Sequence, residues 1–294
     1  MHVKPFLKWA GGKYRILDKI LRELPAGARF VEPFAGSCAV YLNADFPKAL
    51  VCDVNCDLIS LYRHVQREGE DFIGYCASFF TPENNTRSGY AALRDRLNAS
   101  SDAGERAALL LYVNRHAYNG LIRYNSKGGF NVPFGAYTKP YFPLQELRVF
   151  YRKTQATVTE FTAEDFRAVF ARLAPGDVVY CDPPYVPLSQ TASFTAYAKN
   201  AFNARDQADL AALAEEAGHK GVHVVVSNHD TELTRSLYSS ATLKRFAVQR
   251  FISCNGDKRG AAPELLAVYG QQQDARYFQA AFMGGAASAA MRQE

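Results

Sequence analysis

An apolar run, Val178, Val179 and Tyr180, is followed at once by Asp182, Pro183, Pro184 and Tyr185. Three β-forming residues predict a buried strand. The prolines end it, because each lacks a ladder donor and has a fixed φ. A carboxylate and an aromatic ring are thereby presented on stiff backbone at a strand end. That set suits an exocyclic amine on a base, a feeble nucleophile whose lone pair is delocalised into the ring. Asp182 and the Pro183 carbonyl can each accept one N–H, localising the lone pair and aiming it at an electrophile. Tyr185 offers a face on which an extruded base can stack. The bland alternative is a strand-terminating turn whose acid caps locally. Cys181 would suggest covalent attack, but strand alternation points it away from Tyr180 and Asp182. No histidine neighbours it in sequence to activate it, and it is read as structural.

A second group lies near the start. The run "RFVEPFAGS" reads as a strand entering a loop at Phe34 and Gly36, and "KALVCDV" as a strand ending at Asp53. Asp53 follows the first loop by about twenty residues, the offset at which an acid meets ribose hydroxyls. A single glycine does not make a pyrophosphate loop, so a nucleoside without phosphates fits better. The alternative remains open that Gly36 only turns the chain and Asp53 only caps the next helix.

Strands and helices alternate around both groups. The first half reads strand "ARFVEPF", helix "SCAVYLNAD", strand "KALVCDV" and helix "CDLISLYRHVQRE", with a stripe of Leu58, Ile59, Tyr62 and Val65. The second half reads strand "ATVTEF", helix "AEDFRAVFARL", strand "GDVVYCD", helix "ARDQADLAALAEEAG", strand "VHVVVS" and helix "TELTRSLYSS". Two β-rich runs, "TLKRFAVQRFIS" and "PELLAVYG", then pair as an antiparallel end hairpin. The pattern predicts an α/β fold with a Rossmann-like, mostly parallel sheet covered on both faces. Residues 1–55 and 146–272 form its catalytic domain in this reading, 56–145 an inserted subdomain of helices followed by a β-hairpin, and 273–294 a disordered tail.

The insert has a distinct chemistry. From Arg106 to Gln145 there is no Asp or Glu, while Arg106, Arg115, Arg123, Lys127 and Lys139 interleave with tyrosines and phenylalanines. Cations reach phosphates and planar groups stack on bases, so this stretch points to nucleic acid. Asn119, Asn125 and Asn131 add groups able to read base edges. The competing reading is a solvated basic face over a local aromatic core.

Composition narrows the classes. The 294 residues carry a net charge of only +5, so no polyanionic partner follows from the total. Six cysteines contain no CxxC pair and six histidines no HExxH, so no metal site is expected. No apolar run approaches the ~20 residues of a membrane span, and a reducing cytoplasm fits the cysteine usage.

These residues together resemble the Dam-type DNA adenine-N6 methyltransferases. The matching blocks, in order, are "FLKWAGGKYRIL", "FVEPFAGSCAVYLNADF", "DVNCDLISLY", "NRHAYNGLIRYN", "GGFNVPFGAY", "KPYFP", "VVYCDPPYVPLS", "FTAY" and "SNHDTELTR". The resemblance implies S-adenosyl-L-methionine as methyl donor, double-stranded DNA as partner, a flipped adenine as target and 5′-GATC as the usual site. It implies a monomer working in the cytoplasm on the nucleoid. Trp9, Ala10, Gly11, Lys13, Phe34, Gly36, Asp53, Asp165, Phe166 and Asp182 would line the cofactor pocket. Asp182, Pro183 and Tyr185 would hold the target. Lys8, Tyr118, Asn119, Leu121, Arg123, Asn125, Pro133 and Tyr137 would meet bases or flanking stacks, with Arg94, Ser189, Ser193 and Lys199 on the backbone. Ala136, His116, Ala117 and the late loop "NGDKRGAAPE" depart from the common pattern, which bears on affinity and processivity more than on chemistry. The corner is shared by cytosine-N4 and RNA amino-methyltransferases, and an idle DNA-binding homologue would keep the fold.

Overall fold

Alternating buried residues along the apolar runs build the two faces of one sheet. The computed structural model describes residues 2–185, 202–249 and 261–270. Its strands are β1 (Arg29–Glu32), β2 (Lys48–Cys52), β3 (Val158–Thr162), β4 (Asp177–Cys181), β5 (His223–His229), β6 (Thr242–Gln249) and β7 (Ala261–Tyr269), in the order β3-β2-β1-β4-β5-β7-β6. The pairings from β3 through β5 are parallel, and β7 lies antiparallel between β5 and β6. This is the Rossmann-like sheet with an antiparallel end hairpin expected from the sequence. Val178, Tyr180 and Val225 join one apolar layer, and Val179, Cys181, Val224 and Val226 the other. Cys181 therefore points away from the Tyr180 face, as alternation requires, and is fully buried.

The helices are α1 (Leu17–Arg22), α2 (Cys56–Glu68), α3 (Glu70–Ala77), α4 (Arg87–Ala99), α5 (Ala103–His116), α6 (Leu144–Ala156), α7 (Phe166–Phe170), α8 (Ala204–His219) and α9 (Glu232–Leu237). Side chains at the turns start them: Asn55 caps α2, Asp102 caps α5, and Asn203 with Asp206 forms a capping box on α8. The stripe Leu58, Ile59, Tyr62 and Val65 is buried. Each such side chain is worth about 1.5–3 kcal/mol of burial. Tyr62 stacks on Phe150 of α6 at 5.0 Å and approaches Phe161 of β3 at 5.6 Å, so one apolar cluster runs from the sheet into the helices between β2 and β3.

Two local expectations change. Residues 37–45 form successive turns rather than a helix. Cys38 has φ 59°, which breaks a right-handed helix, and the Tyr41 N–H donates to the Glu32 carboxylate at 3.2 Å instead of to a preceding carbonyl. The hairpin expected near 120–143 is reduced to two isolated bridges, Ala117 with Phe134 and Tyr124 with Phe130. Its tip is closed by the Asn125 side chain, whose Oδ1 accepts the N–H groups of Lys127 at 2.9 Å and Gly129 at 3.0 Å. Cys254 and the 273–294 tail lie outside the described residues.

Candidate active site

The sheet winds outward in both directions from β1 and β4, so the loops after their carboxyl ends splay apart and leave a crevice. A cavity of about 1210 Å³ occupies it. Every residue singled out above for a catalytic or cofactor role lines this one cavity, from Trp9, Ala10, Gly11 and Lys13 through Phe34, Gly36 and Asp53 to Asp165, Phe166, Asp182, Pro183 and Tyr185. Among the described residues, none of those singled out for bases or DNA backbone does.

The glycine loop is held rigid by its neighbours. The Gly36 N–H donates to Asp53 Oδ2 at 3.0 Å, and its carbonyl accepts the buried Tyr62 hydroxyl. Asp53 Oδ1 accepts the Asn55 N–H at 2.9 Å, while Asn55 itself caps α2. Asp53 thus sets the loop rather than the helix, and burial raises its pKa against these two hydrogen bonds. Gly36 has φ 46°, and a Cβ there would sit 2.7 Å from the Trp9 indole nitrogen. The indole therefore rests on bare backbone. Phe34, Phe166 and Phe202 make an aromatic group with ring centroids 5.5–5.6 Å apart. Asp165 caps α7 and pairs with Arg167.

Elsewhere on the cavity lining, Asp182 is engaged on its Oδ1. Lys13 Nζ lies 2.8 Å away and the Ser227 hydroxyl 3.1 Å away. Tyr180 in turn donates to Ser227 at 3.0 Å, a chain of hydroxyls ending on the carboxylate. Protein encloses Asp182, yet 22 % of its side chain still meets the cavity. Burial raises its pKa, and the Lys13 ammonium opposes that rise. Lys13 Nζ also donates to the Gly11 carbonyl at 2.7 Å and stands 4.4 Å over the Tyr185 ring. It occupies the place between carboxylate and ring where an amine on a planar base would lie. The Tyr185 hydroxyl donates to Glu264 at 3.3 Å, and its ring meets the edge of His229 at 4.7 Å.

Several residues here were missed from sequence. Gln207, buried in the first turn of α8, donates to the Pro184 carbonyl at 2.7 Å and accepts from Asn228 at 3.1 Å. Gln207 thus anchors the corner through Pro184, while no described residue donates to the carbonyl of Pro183, which lines the cavity. Gln207→Leu is expected to lower kcat about tenfold, from the loss of one buried hydrogen bond of roughly 1–3 kcal/mol, with cofactor affinity unchanged by calorimetry. An unchanged kcat would remove Gln207 from this role. Asn114 was also missed. Fully buried in α5, it accepts the Lys8 N–H at 2.9 Å and donates to the carbonyls of Lys8 at 2.8 Å and Gly120 at 3.0 Å. It fastens the N-terminal segment to the helices. A polar residue on a helix apolar all round is the signal that would have found it.

Outside the cavity, Lys8 Nζ stands 4.1 Å over the Tyr137 ring. The Tyr118 N–H donates to the Pro133 carbonyl at 2.9 Å, and Asn119 has φ 53° in the turn that follows. Tyr118, Leu121 and Arg123 are exposed, with Arg123 Nε on Asn131 Oδ1 at 2.9 Å. Arg94 lies on α4 and pairs with Asp95. Ser189, Ser193 and Lys199 lie outside the described residues. Among the described residues no group of three or more His, Cys, Asp or Glu is placed to hold a metal, and no helix is long and apolar enough to cross a membrane.

Comparison with known proteins gives the family. The profile of the D12 class N6 adenine-specific DNA methyltransferases matches residues 9–252. The DNA adenine methylase of Vibrio cholerae serotype O1 is 48% identical over 267 residues, covering 90% of this chain and 96% of the relative. That of Escherichia coli K12 is 48% identical over 266 residues, covering 90% and 95%. Among solved structures, the C-terminal domain of precorrin-6Y C5,15-methyltransferase from Rhodobacter capsulatus overlays with a TM-score of 0.38 at 12% identity, covering 90% of this chain and 93% of that one. That likeness is too loose to add to the fold described above.

Proposed function

The chain belongs to the D12 class of N6 adenine-specific DNA methyltransferases, and on that premise we propose that it moves the methyl group of S-adenosylmethionine to N6 of an adenine swung out of duplex DNA at 5′-GATC. The observation carrying the proposal is the shared cavity, lined both by Asp182, Pro183 and Tyr185 and by Trp9, Gly36 and Asp53.

The cavity suits this donor. Its lining carries Glu32, Asp53, Asp165, Asp182, Asp206 and Glu264 against the cations Lys13 and Arg15. Burial raises the Glu32 pKa, and Arg167 pairs with Asp165 and Asp206. Asp53, Asp182 and Glu264 still outnumber Lys13 and Arg15, a balance that favours a ligand of net positive charge. S-adenosylmethionine supplies an electrophilic methyl on a sulfonium. Trp9, Ala10, Gly11, Phe34, Asp53, Asp165 and Phe166 would hold its nucleoside and amino-acid parts.

The protein's own work is to prepare the amine. Tyr185, steadied by Glu264 and His229, stacks the extruded base and offsets the few kcal/mol of unstacking. The amine displaces Lys13 from Asp182 and donates one N–H to that carboxylate and one to the Pro183 carbonyl. Its lone pair then points into the cavity. The new N–CH3 bond would form as the methyl–sulfonium bond breaks, with S-adenosylhomocysteine leaving and one amine proton lost to solvent, without a covalent enzyme intermediate. Residues 56–145 serve as the target-recognition part in this proposal, with Lys8, Tyr118, Asn119, Leu121, Arg123, Asn125, Pro133 and Tyr137 toward the bases. Arg94, Ser189, Ser193 and Lys199 are assigned to the backbone. DNA from cells expressing the chain should resist a nuclease that is blocked by N6-methylated GATC. Full digestion would refute the proposed site.

A further inference from the structure

We propose that Asp57 is a positioning residue for sequence discrimination, the strut that joins the 121–131 hairpin to the segment flooring the donor cavity. The proposal rests on the hairpin's reading as target-recognising and deepens it.

Asp57 stands in the first turn of α2, four residues after Asp53. Its carboxylate takes a bidentate pair from Arg106, Nε to Oδ1 and Nη2 to Oδ2, both at 2.8 Å. The Tyr124 hydroxyl donates to the same Oδ2 at 2.8 Å. Arg106 continues outward, its Nη1 donating to the carbonyls of Leu97 at 2.7 Å and Ser100 at 3.2 Å at the end of α4. One carboxylate therefore gathers α2, α4, α5 and the hairpin. The segment leading to it, Asp53 and Val54, lines the donor cavity.

The contact borders open space, although the Tyr124 ring itself packs against the core and on Phe130. A second cavity of about 590 Å³ opens between the hairpin and α2, lined by Val54, Asn55, Cys56, Asp57, Arg106 and Tyr124. The hairpin's other arm is fixed independently. Asn98 of α4 accepts the Phe130 N–H at 2.7 Å and donates to its carbonyl at 3.1 Å, and Phe130 is buried. Loss of the strut thus unties Tyr124 from α2 and leaves the arm carrying Leu121 and Arg123 aligned only through the other arm, by the Asn131 N–H on the Arg123 carbonyl at 3.1 Å and Arg123 Nε on Asn131 Oδ1 at 2.9 Å. Charge-assisted, bidentate geometry of this kind holds direction as well as distance. A fixed direction is what base reading needs, since misplacement by an ångström discards a side chain's discrimination.

The deciding variant is Tyr124→Phe, which deletes one hydroxyl and keeps the ring, with Asp57→Asn and Asp57→Glu beside it. Methyl transfer is measured on a GATC duplex and on duplexes with one base pair changed. Tyr124→Phe and Asp57→Asn should keep kcat on GATC within about twofold, raise KM for the duplex, and lower the preference for GATC about tenfold. Asp57→Glu should restore part of that preference. A Tyr124→Phe protein with wild-type preference overturns the strut, as does a fall in Tm and kcat with preference intact. If Asp57→Asn does not fold, Tyr124→Phe still decides. A wild-type protein that shows no preference for GATC overturns both the strut and the site reading beneath it.

Discussion

Asp182→Ala is expected to lower kcat for adenine methylation by about a thousandfold, the scale seen when one preorganised polar partner of a developing charge is removed. The substitution strips the acceptor that localises the amine lone pair, and leaves Lys13 Nζ and the Ser227 hydroxyl without their shared partner. Binding of the donor should change far less, because the contacts that seat Trp9, Gly36 and Asp53 do not involve Asp182. Near wild-type turnover in Asp182→Ala would end the carboxylate's role. The pH dependence gives the same group a second test. Burial raises the Asp182 pKa and Lys13 opposes the rise. The ionised carboxylate is the stronger acceptor and the form that polarises the amine, so kcat/KM for DNA should fall as pH drops through that raised value. Lys13→Met removes the opposing charge, and the acid limb should move to higher pH. An unmoved limb would mean that Lys13 does not act on Asp182 in the free enzyme.

Gly36→Ala carries the second large effect. At φ 46° a side chain costs about 1–2 kcal/mol of backbone strain. Its Cβ would also stand 2.7 Å from the Trp9 indole, closer than such atoms can approach. Either the indole leaves its seat or the loop gives up its hydrogen bonds to Asp53 and Tyr62. Both outcomes reshape the donor wall. Affinity for S-adenosylhomocysteine by calorimetry should fall about ten- to a hundredfold, the cost of 1.4–2.8 kcal/mol. Affinity within twofold of the wild type would show that Trp9 and Gly36 do not form that wall.

The corner was legible because its signals are local. Two prolines after Tyr180, Cys181 and Asp182 can end only a strand, and a period of two assigns Cys181 and Asp182 to opposite faces without knowledge of the rest of the chain. Asp53 was placed by its offset from the first loop; its bond to Gly36 shows that it holds that loop, and Asn55 rather than Asp53 caps α2. What remained hidden depends on residues distant in sequence. The turns at 37–45 follow from the buried Glu32 carboxylate capturing the Tyr41 N–H, nine residues away. Gln207 reaches Pro184 across 23 residues, and Asn114 reaches Lys8 across 106. Each is a polar group in an apolar setting, so sequence marks it as needing a partner without naming one. Lys13 was placed in the cavity from the N-terminal block, but its seat on Asp182 required the fold.

The central claim is methyl transfer to adenine N6, and the modified base itself decides it. Purified protein would be incubated with duplex DNA and S-adenosylmethionine labelled on its methyl group, and the nucleosides released and identified by mass spectrometry. The expected result is label in N6-methyladenosine deoxynucleoside alone, abolished by Asp182→Ala. Label in N4-methylcytosine, or no label in DNA at all, would contradict the account.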